Sequence, residues 1–189
     1  MQAAAQSFIA QHGHPDIVIA NAGISRGTLT EFIEDSAVFE AILATNVTGM
    51  AHTFQPFVAA MRERKQGCLV GIASVAGYRG LPGASAYSAS KAAAISYLES
   101  LRVEMHGSGV SVITVCPGYV STPMTAKNPY AMPFILTADA AATKIAAVIA
   151  RRKLYAVIPW QMGVVARVLK LLPNFIYDRL FANAPRKPR

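Results

Sequence analysis

The sequence predicts an α/β domain in which helices cover both faces of a parallel sheet. Two observations carry that expectation. Short β-branched, apolar runs alternate with longer segments of helical periodicity, the order that βαβ units require. The runs are apolar at successive positions rather than at alternate ones, as strands buried on both faces must be. Composition agrees: 53% of the 189 residues are hydrophobic and 15% charged, which suits one well-buried domain and is short for two.

The elements follow in order. Ala3 to Gln11 reads as the end of a helix, closed by Gly13 and Pro15. The first strand is Asp16-Ile-Val-Ile-Ala20, running into Asn21-Ala-Gly23. A long helix is expected from Ser36 to Arg64, with Ser36 as its cap and a bend or break set by Gly49 and Pro56. Cys68 to Ala73 is the second strand, followed by a glycine-rich loop from Gly77 to Gly83. Tyr87 to His106 forms the next helix, Val110 to Cys116 the third strand, and Pro117-Gly118 ends it. Thr137 opens a helix that runs to Lys153, and Leu154 to Ile158 is the fourth strand. The first of these strands is apolar on both faces and belongs inside a sheet, yet no residue before it supplies a second neighbour.

Charge is uneven. Residues 1–150 hold nine basic and nine acidic side chains, whereas 151–189 hold nine basic residues and Asp178 alone, so this segment carries the whole net charge of +8. No apolar run reaches the roughly 20 residues of a membrane span. No basic region precedes an apolar one at the N-terminus, so a signal peptide is not supported. Cys68 and Cys116 lie within strands, and His12, His14, His52 and His106 are scattered singly, so neither a disulfide nor a metal site is expected. Buried free thiols point to a reducing cytoplasm.

The chemistry concentrates in Ser74 and Tyr87-Ser-Ala-Ser-Lys91. Tyr87 and Lys91, four apart near a helix start, share one face. A free phenol loses its proton near pH 10, too high for acid–base work at neutrality. An ammonium one turn away and a positive helix N-terminus both favour phenolate, so Tyr87 is expected to titrate lower. Ser74 ends a strand, where its hydroxyl can meet a substrate oxygen at the sheet's carboxyl edge.

Ser74 thirteen residues before Tyr87, Tyr-x3-Lys, Asn21-Ala-Gly23, Asn46 and Pro117-Gly118, in this order, resemble the short-chain dehydrogenase/reductase family from residue 1 to about residue 160. The resemblance implies a Rossmann-like doubly wound sheet in 1–159, with 160–189 as a basic helical extension. It implies NAD or NADP as cofactor, with Tyr87 as general acid/base, Lys91 tuning it and bonding the nicotinamide ribose, Ser74 orienting the substrate oxygen and Asn46 holding a relay water. Asn21, Ala22, Gly23, Tyr87, Lys91, Pro117, Gly118, Val120 and Thr122 would contact the cofactor. The family's glycine-rich phosphate loop and the residue that separates NAD from NADP have no counterpart here; by the family pattern three strands and their helices would precede residue 1. A homo-oligomer is expected of the full-length form.

Trp160 to Leu172 puts Val164, Val165, Val168, Leu169 and Leu172 on one helical face, Asn174 to Ala182 forms a second short helix, and Pro185-Arg-Lys-Pro-Arg189 reads as a frayed basic tail. Two readings stay open for this segment: a cap over the cleft or a contact between subunits, and a basic amphipathic attachment to a membrane surface. No nucleic-acid motif accompanies it. Two functions compete for the whole: an oxidoreductase interconverting an alcohol and a ketone on a small apolar substrate, and a non-catalytic fragment or binding module unable to hold cofactor. The apolar stretch Tyr119 to Leu136, with Met124, Tyr130, Met132 and Phe134, favours an apolar substrate.

Overall fold

In a computed structural model covering residues 1–189, helix α1 (Gln2–His12) leads into strand β1 (Ile17–Ala20). Helix α2 (Asp35–Leu43) continues through a π-helical turn (Ala44–Thr48) into α3 (Gly49–Glu63). Strand β2 (Gly67–Ile72), a short 3₁₀ turn (Val75–Gly77), helix α4 (Ser85–Glu104) and strand β3 (Val110–Pro117) follow. The small strands β4 (Val120–Ser121) and β5 (Leu136–Thr137) precede α5 (Ala138–Ala150), β6 (Tyr155–Ile158), α6 (Trp160–Leu171) and α7 (Asn174–Phe181).

The four long strands form one parallel sheet in the order β1-β2-β3-β6. On one face, Val18, Leu69 and Val112 pack with Phe54, Met61 and Leu98 from α3 and α4. On the other, Cys68, Val70, Ile113 and Val115 meet Ile145 and Ile149 of α5. These are the two covered faces that the apolar runs foretell. β1 lies at the sheet edge, and its Ile17 and Ile19 are 48% and 46% exposed, because α5 does not reach that far.

Three expectations need correction. The helix over 36–64 is interrupted by a π turn ending beside Gly49, but Pro56 sits within α3 without breaking it. α6 does not bury its valine stripe: Met162, Gly163 and Ala166 face inward, while Val164 and Val168 are exposed. Gly163 decides this, since a Cβ there would stand only 3.2 Å from Val157, so the small face is the one that can close onto β6. The tail is not frayed. Pro185–Arg189 lies back across the carboxyl end of the sheet, with Gly27 donating its N–H to the Pro188 carbonyl at 2.9 Å.

Candidate active site

β1, β2 and β3 are parallel, so the turns after Ala20, Ile72 and Pro117 gather at one edge of the sheet. Each of these turns brings expected site residues to a single crevice. Ser74 leaves β2 in extended backbone and caps the 3₁₀ turn, its Oγ accepting from the Ala76 N–H at 3.1 Å. The same hydroxyl donates to the Pro117 carbonyl at 3.4 Å, tying the β2 and β3 turns together. Gly77 lets this turn lie against α4: a Cβ there would come within 2.7 Å of the Lys91 backbone.

Tyr87 and Lys91 sit on the first turns of α4 and share a face, with the Lys91 Nζ 5.8 Å from the Tyr87 ring centre. Nζ donates to the Ile72 carbonyl at 2.8 Å, which fixes the ammonium under the end of β2. An ammonium has three protons, so two remain for a ligand. Burial, the larger effect, brings the Lys91 pKa down to about 8, with the Cys116 sulfur opposing it. For Tyr87 the expected lowering does not hold in this arrangement. Burial pushes its phenol above the ordinary value, and a hydrogen bond with the Ser74 side chain pulls it back in part. Desolvation outweighs that bond, and the Lys91 ammonium stands 5.8 Å from the ring centre.

Asn46 is fully buried in the π turn. Its Oδ1 accepts from the Ile24 N–H at 2.8 Å, and its Nδ2 donates to the Ile24 carbonyl at 3.0 Å and to Ser90 Oγ at 2.9 Å. The extra residue of a π turn re-aims a side chain inward, a common device near functional sites. Here it clamps the segment after β1 onto α4. Ser90, which completes the clamp, carried no sequence signal beyond its place inside Tyr-x3-Lys.

Asn21, Ala22, Gly23, Ser74, Tyr87, Lys91, Pro117, Gly118, Val120 and Thr122 all line one cavity of about 670 Å³. Gly23 lies close to two of its polar groups: a Cβ there would stand 3.4 Å from Asn46 Oδ1 and 3.5 Å from Lys91 Nζ. Such a floor, with a lysine whose protons are partly unused, fits the nicotinamide–ribose end of a dinucleotide. Nothing among these residues is a glycine-rich cradle for the pyrophosphate. No group of three or more His, Cys, Asp or Glu side chains is gathered where a metal ion could sit. Of the apolar stretch, Tyr130 lines a neighbouring cavity with Tyr119, whereas Phe134 is 50% exposed and does not contribute.

The short chain dehydrogenase family profile matches residues 1–132. An uncharacterized oxidoreductase of Myxococcus xanthus is 42% identical over 169 residues, 89% of this chain and 66% of that protein. The acetoacetyl-CoA reductase of Synechocystis is 38% identical over 125 residues, 66% of this chain and 52% of the reductase. Among solved structures, a short chain dehydrogenase from Burkholderia cenocepacia in complex with NADP superposes with a TM-score of 0.79 at 24% identity, over 93% of this chain and 72% of that one. The chain thus spans between half and two thirds of the length of these two curated relatives.

Proposed function

The chain belongs to the short-chain dehydrogenase family, and on that premise we propose that it forms the catalytic part of an NAD(P)-dependent oxidoreductase interconverting an alcohol and a ketone. The observation that carries this reading is the convergence of Ser74, Tyr87 and Lys91 on one crevice, with Lys91 anchored by Ile72.

Asn21 to Gly23, Lys91 and the Pro117–Thr122 turn would hold the nicotinamide end, which supplies a hydride to the substrate carbon when bound. The chain's own residues do the rest. Ser74 donates a hydrogen bond to the carbonyl oxygen and orients it. Tyr87 gives its proton to that oxygen as negative charge develops there, leaving a phenolate. The Lys91 ammonium favours that phenolate, and its pKa of about 8 lets it exchange a proton near neutrality. In the oxidative direction the same groups act in reverse. Asn46 supports the crevice from the π turn, its buried side-chain amide committed to Ile24 and Ser90 rather than free for a relay water. The high pKa of resting Tyr87 suits reduction, because the acid must begin protonated.

The competing reading is a binding module that keeps the crevice without turnover. Attachment of 160–189 to a membrane or to a second copy remains a proposal resting on the exposed Trp160, Val168 and Leu171; no helix is long and apolar enough to cross a membrane.

The test is isotopic. The chain is incubated with a medium-chain ketone and either NADH or NADPH deuterated at the transferring position. Deuterium at the carbinol carbon of the product is the expected result. Absence of label with both dinucleotides at saturating ketone would overturn the reading in favour of the binding module.

A further inference from the structure

The C-terminal strap brings a basic residue to the cleft that the proposed chemistry does not use. Arg79 positions it. Its guanidinium donates to the Leu169 and Leu172 carbonyls at 2.8 and 2.6 Å and lies 4.0 Å from the Tyr177 ring centre, so the chain turns back at the α6–α7 junction. Tyr177 in turn donates its hydroxyl to the Gly80 carbonyl at 2.6 Å. The last residues then cross two glycines. A Cβ at Gly27 would run into the Lys187 carbonyl, and one at Gly83 would stand 2.7 Å from Arg186 Cβ. Arg189 ends the strap, its Nε 3.0 Å from an Asp35 carboxylate oxygen and its Nη2 3.1 Å from Glu34, with the guanidinium 3.7 Å from the Phe32 ring centre.

Lys187 lies between these anchors. Its Nζ is 5.6 Å from the centre of the Tyr87 ring and donates to Ser25 Oγ at 2.7 Å. Unlike Arg189 it has no carboxylate partner; the four ion pairs of the chain leave it out. It also borders a cavity of about 250 Å³ lined largely by apolar groups, among them Leu81, Tyr119, Tyr130 and Phe181. A half-buried ammonium beside an acid–base tyrosine, at the rim of an apolar cavity and without a counter-ion, is arranged to receive an anion.

We propose that Lys187 is the specificity-determining residue of the cleft, and that the substrate is a carbonyl compound carrying both an apolar tail and a carboxylate. The carboxylate pairs with Lys187, the tail enters the Leu81–Phe181 cavity, and the carbonyl meets Ser74 and Tyr87. This assignment rests on the hydride-transfer reading for its chemistry but not for its binding geometry. Burial lowers the Lys187 pKa, and a bound carboxylate would restore the charged form.

The experiment compares a medium-chain γ-keto acid with its methyl ester, which share carbonyl and tail and differ in charge. Titration calorimetry on the whole 189-residue chain reads affinity without requiring turnover. The acid should bind about tenfold more tightly than the ester, the scale of a charge-assisted hydrogen bond in a partly desolvated site. Lys187→Met should bring the acid down to the affinity of the ester, and Lys187→Arg should restore most of the preference. Gly27→Ala, which displaces the strap while keeping the charge, should weaken the acid in the same direction. Equal binding of acid and ester, binding of neither at millimolar concentration, or a preference that survives Lys187→Met would overturn the assignment. Tighter binding of the acid to Lys187→Met would overturn it too, since the strap would then be a plug. A keto acid that binds with the expected preference but acquires no deuterium would instead refute the hydride-transfer reading and leave Lys187 in its binding role.

Discussion

The two walls of the cleft are built by different means. On the sheet side, Asn46, Ser74 and Lys91 are 0%, 7% and 4% exposed, and each is bonded to the backbone of another element. On the outer side, the strap 185–189 is largely exposed and is held by ion pairs, one backbone hydrogen bond and contact with two glycines. Buried polar groups are costly to leave unpaired, so a wall made of them tolerates no change of geometry. The strap's pair with exposed Glu34 is worth little, and only the pair with buried Asp35 holds it more firmly. The proposed chemistry therefore resides in the wall that cannot move, and selection of substrate in the wall that can.

The largest expected effect is on the buried wall. Tyr87→Phe removes one hydroxyl and should lower the rate of ketone reduction by about 10²–10⁴-fold, while thermal unfolding stays nearly where it was. Steady-state rates within threefold of the parent chain would remove Tyr87 from the chemistry.

Asn46→Ala should come next, and it should appear in stability. The change strips partners from the Ile24 N–H, the Ile24 carbonyl and Ser90 in a site with no solvent. An unpaired buried group costs about 1–3 kcal/mol, so a loss of about 3 kcal/mol is expected, or roughly 6–12 °C in Tm for a chain of this size. A melt lowered by less than about 2 °C would mean that the clamp is not what holds the segment after β1.

Lys91 sharpens the comparison through pH. Its folded pKa of about 8 is below the ordinary 10.5, so between those values the unfolded chain still holds a proton that the folded chain has released. Stability contributed by this site therefore rises with pH across that window, and the penalty of burying the charge is fully present below it. Melts of the parent chain and of Lys91→Met, compared at steps from neutral pH upward, should show the parent gaining on the variant from about pH 8. A constant difference would show that Lys91 is not strained by burial.

The smallest effect belongs to the outer wall. Arg189→Ala breaks the contacts with exposed Glu34 and with buried Asp35, which keeps the Leu29 N–H, so the melt should fall by less than for Asn46→Ala and the Glu34 share should fade with added salt. A large, salt-independent drop would make the strap part of the core and end the contrast.

The buried wall was legible in the sequence, and the outer wall was not. Helical spacing puts Tyr87 and Lys91 on one face and a strand end places Ser74 at the sheet edge, but it was the ordered set of motifs resembling short-chain dehydrogenases that singled them out. Asn46 could be placed near a bend, but its partners Ile24 and Ser90 are 22 and 44 residues away, beyond any local pattern. The elevated Tyr87 pKa escaped for a related reason: spacing reveals a neighbouring cation but not the burial that opposes it. For α6, periodicity identified the apolar stripe, while the close approach permitted by Gly163 chose the other face. The strap is the extreme case. Arg189 finds Asp35 across 154 residues, and Pro-Arg-Lys-Pro-Arg by itself has the composition of a loose end.

If the crevice holds the nicotinamide end of a dinucleotide against Tyr87 and Lys91, as proposed, that half of the cofactor alone should perturb it. Chemical-shift mapping of the isotopically labelled chain tests it most directly, with reduced nicotinamide mononucleotide and adenosine monophosphate titrated separately to millimolar concentration. Saturable shifts are expected at Gly23, Ser74, Lys91 and Gly118 with the nicotinamide half and none there with the adenosine half. Unmoved signals at those residues, or equal shifts with adenosine monophosphate, would contradict it.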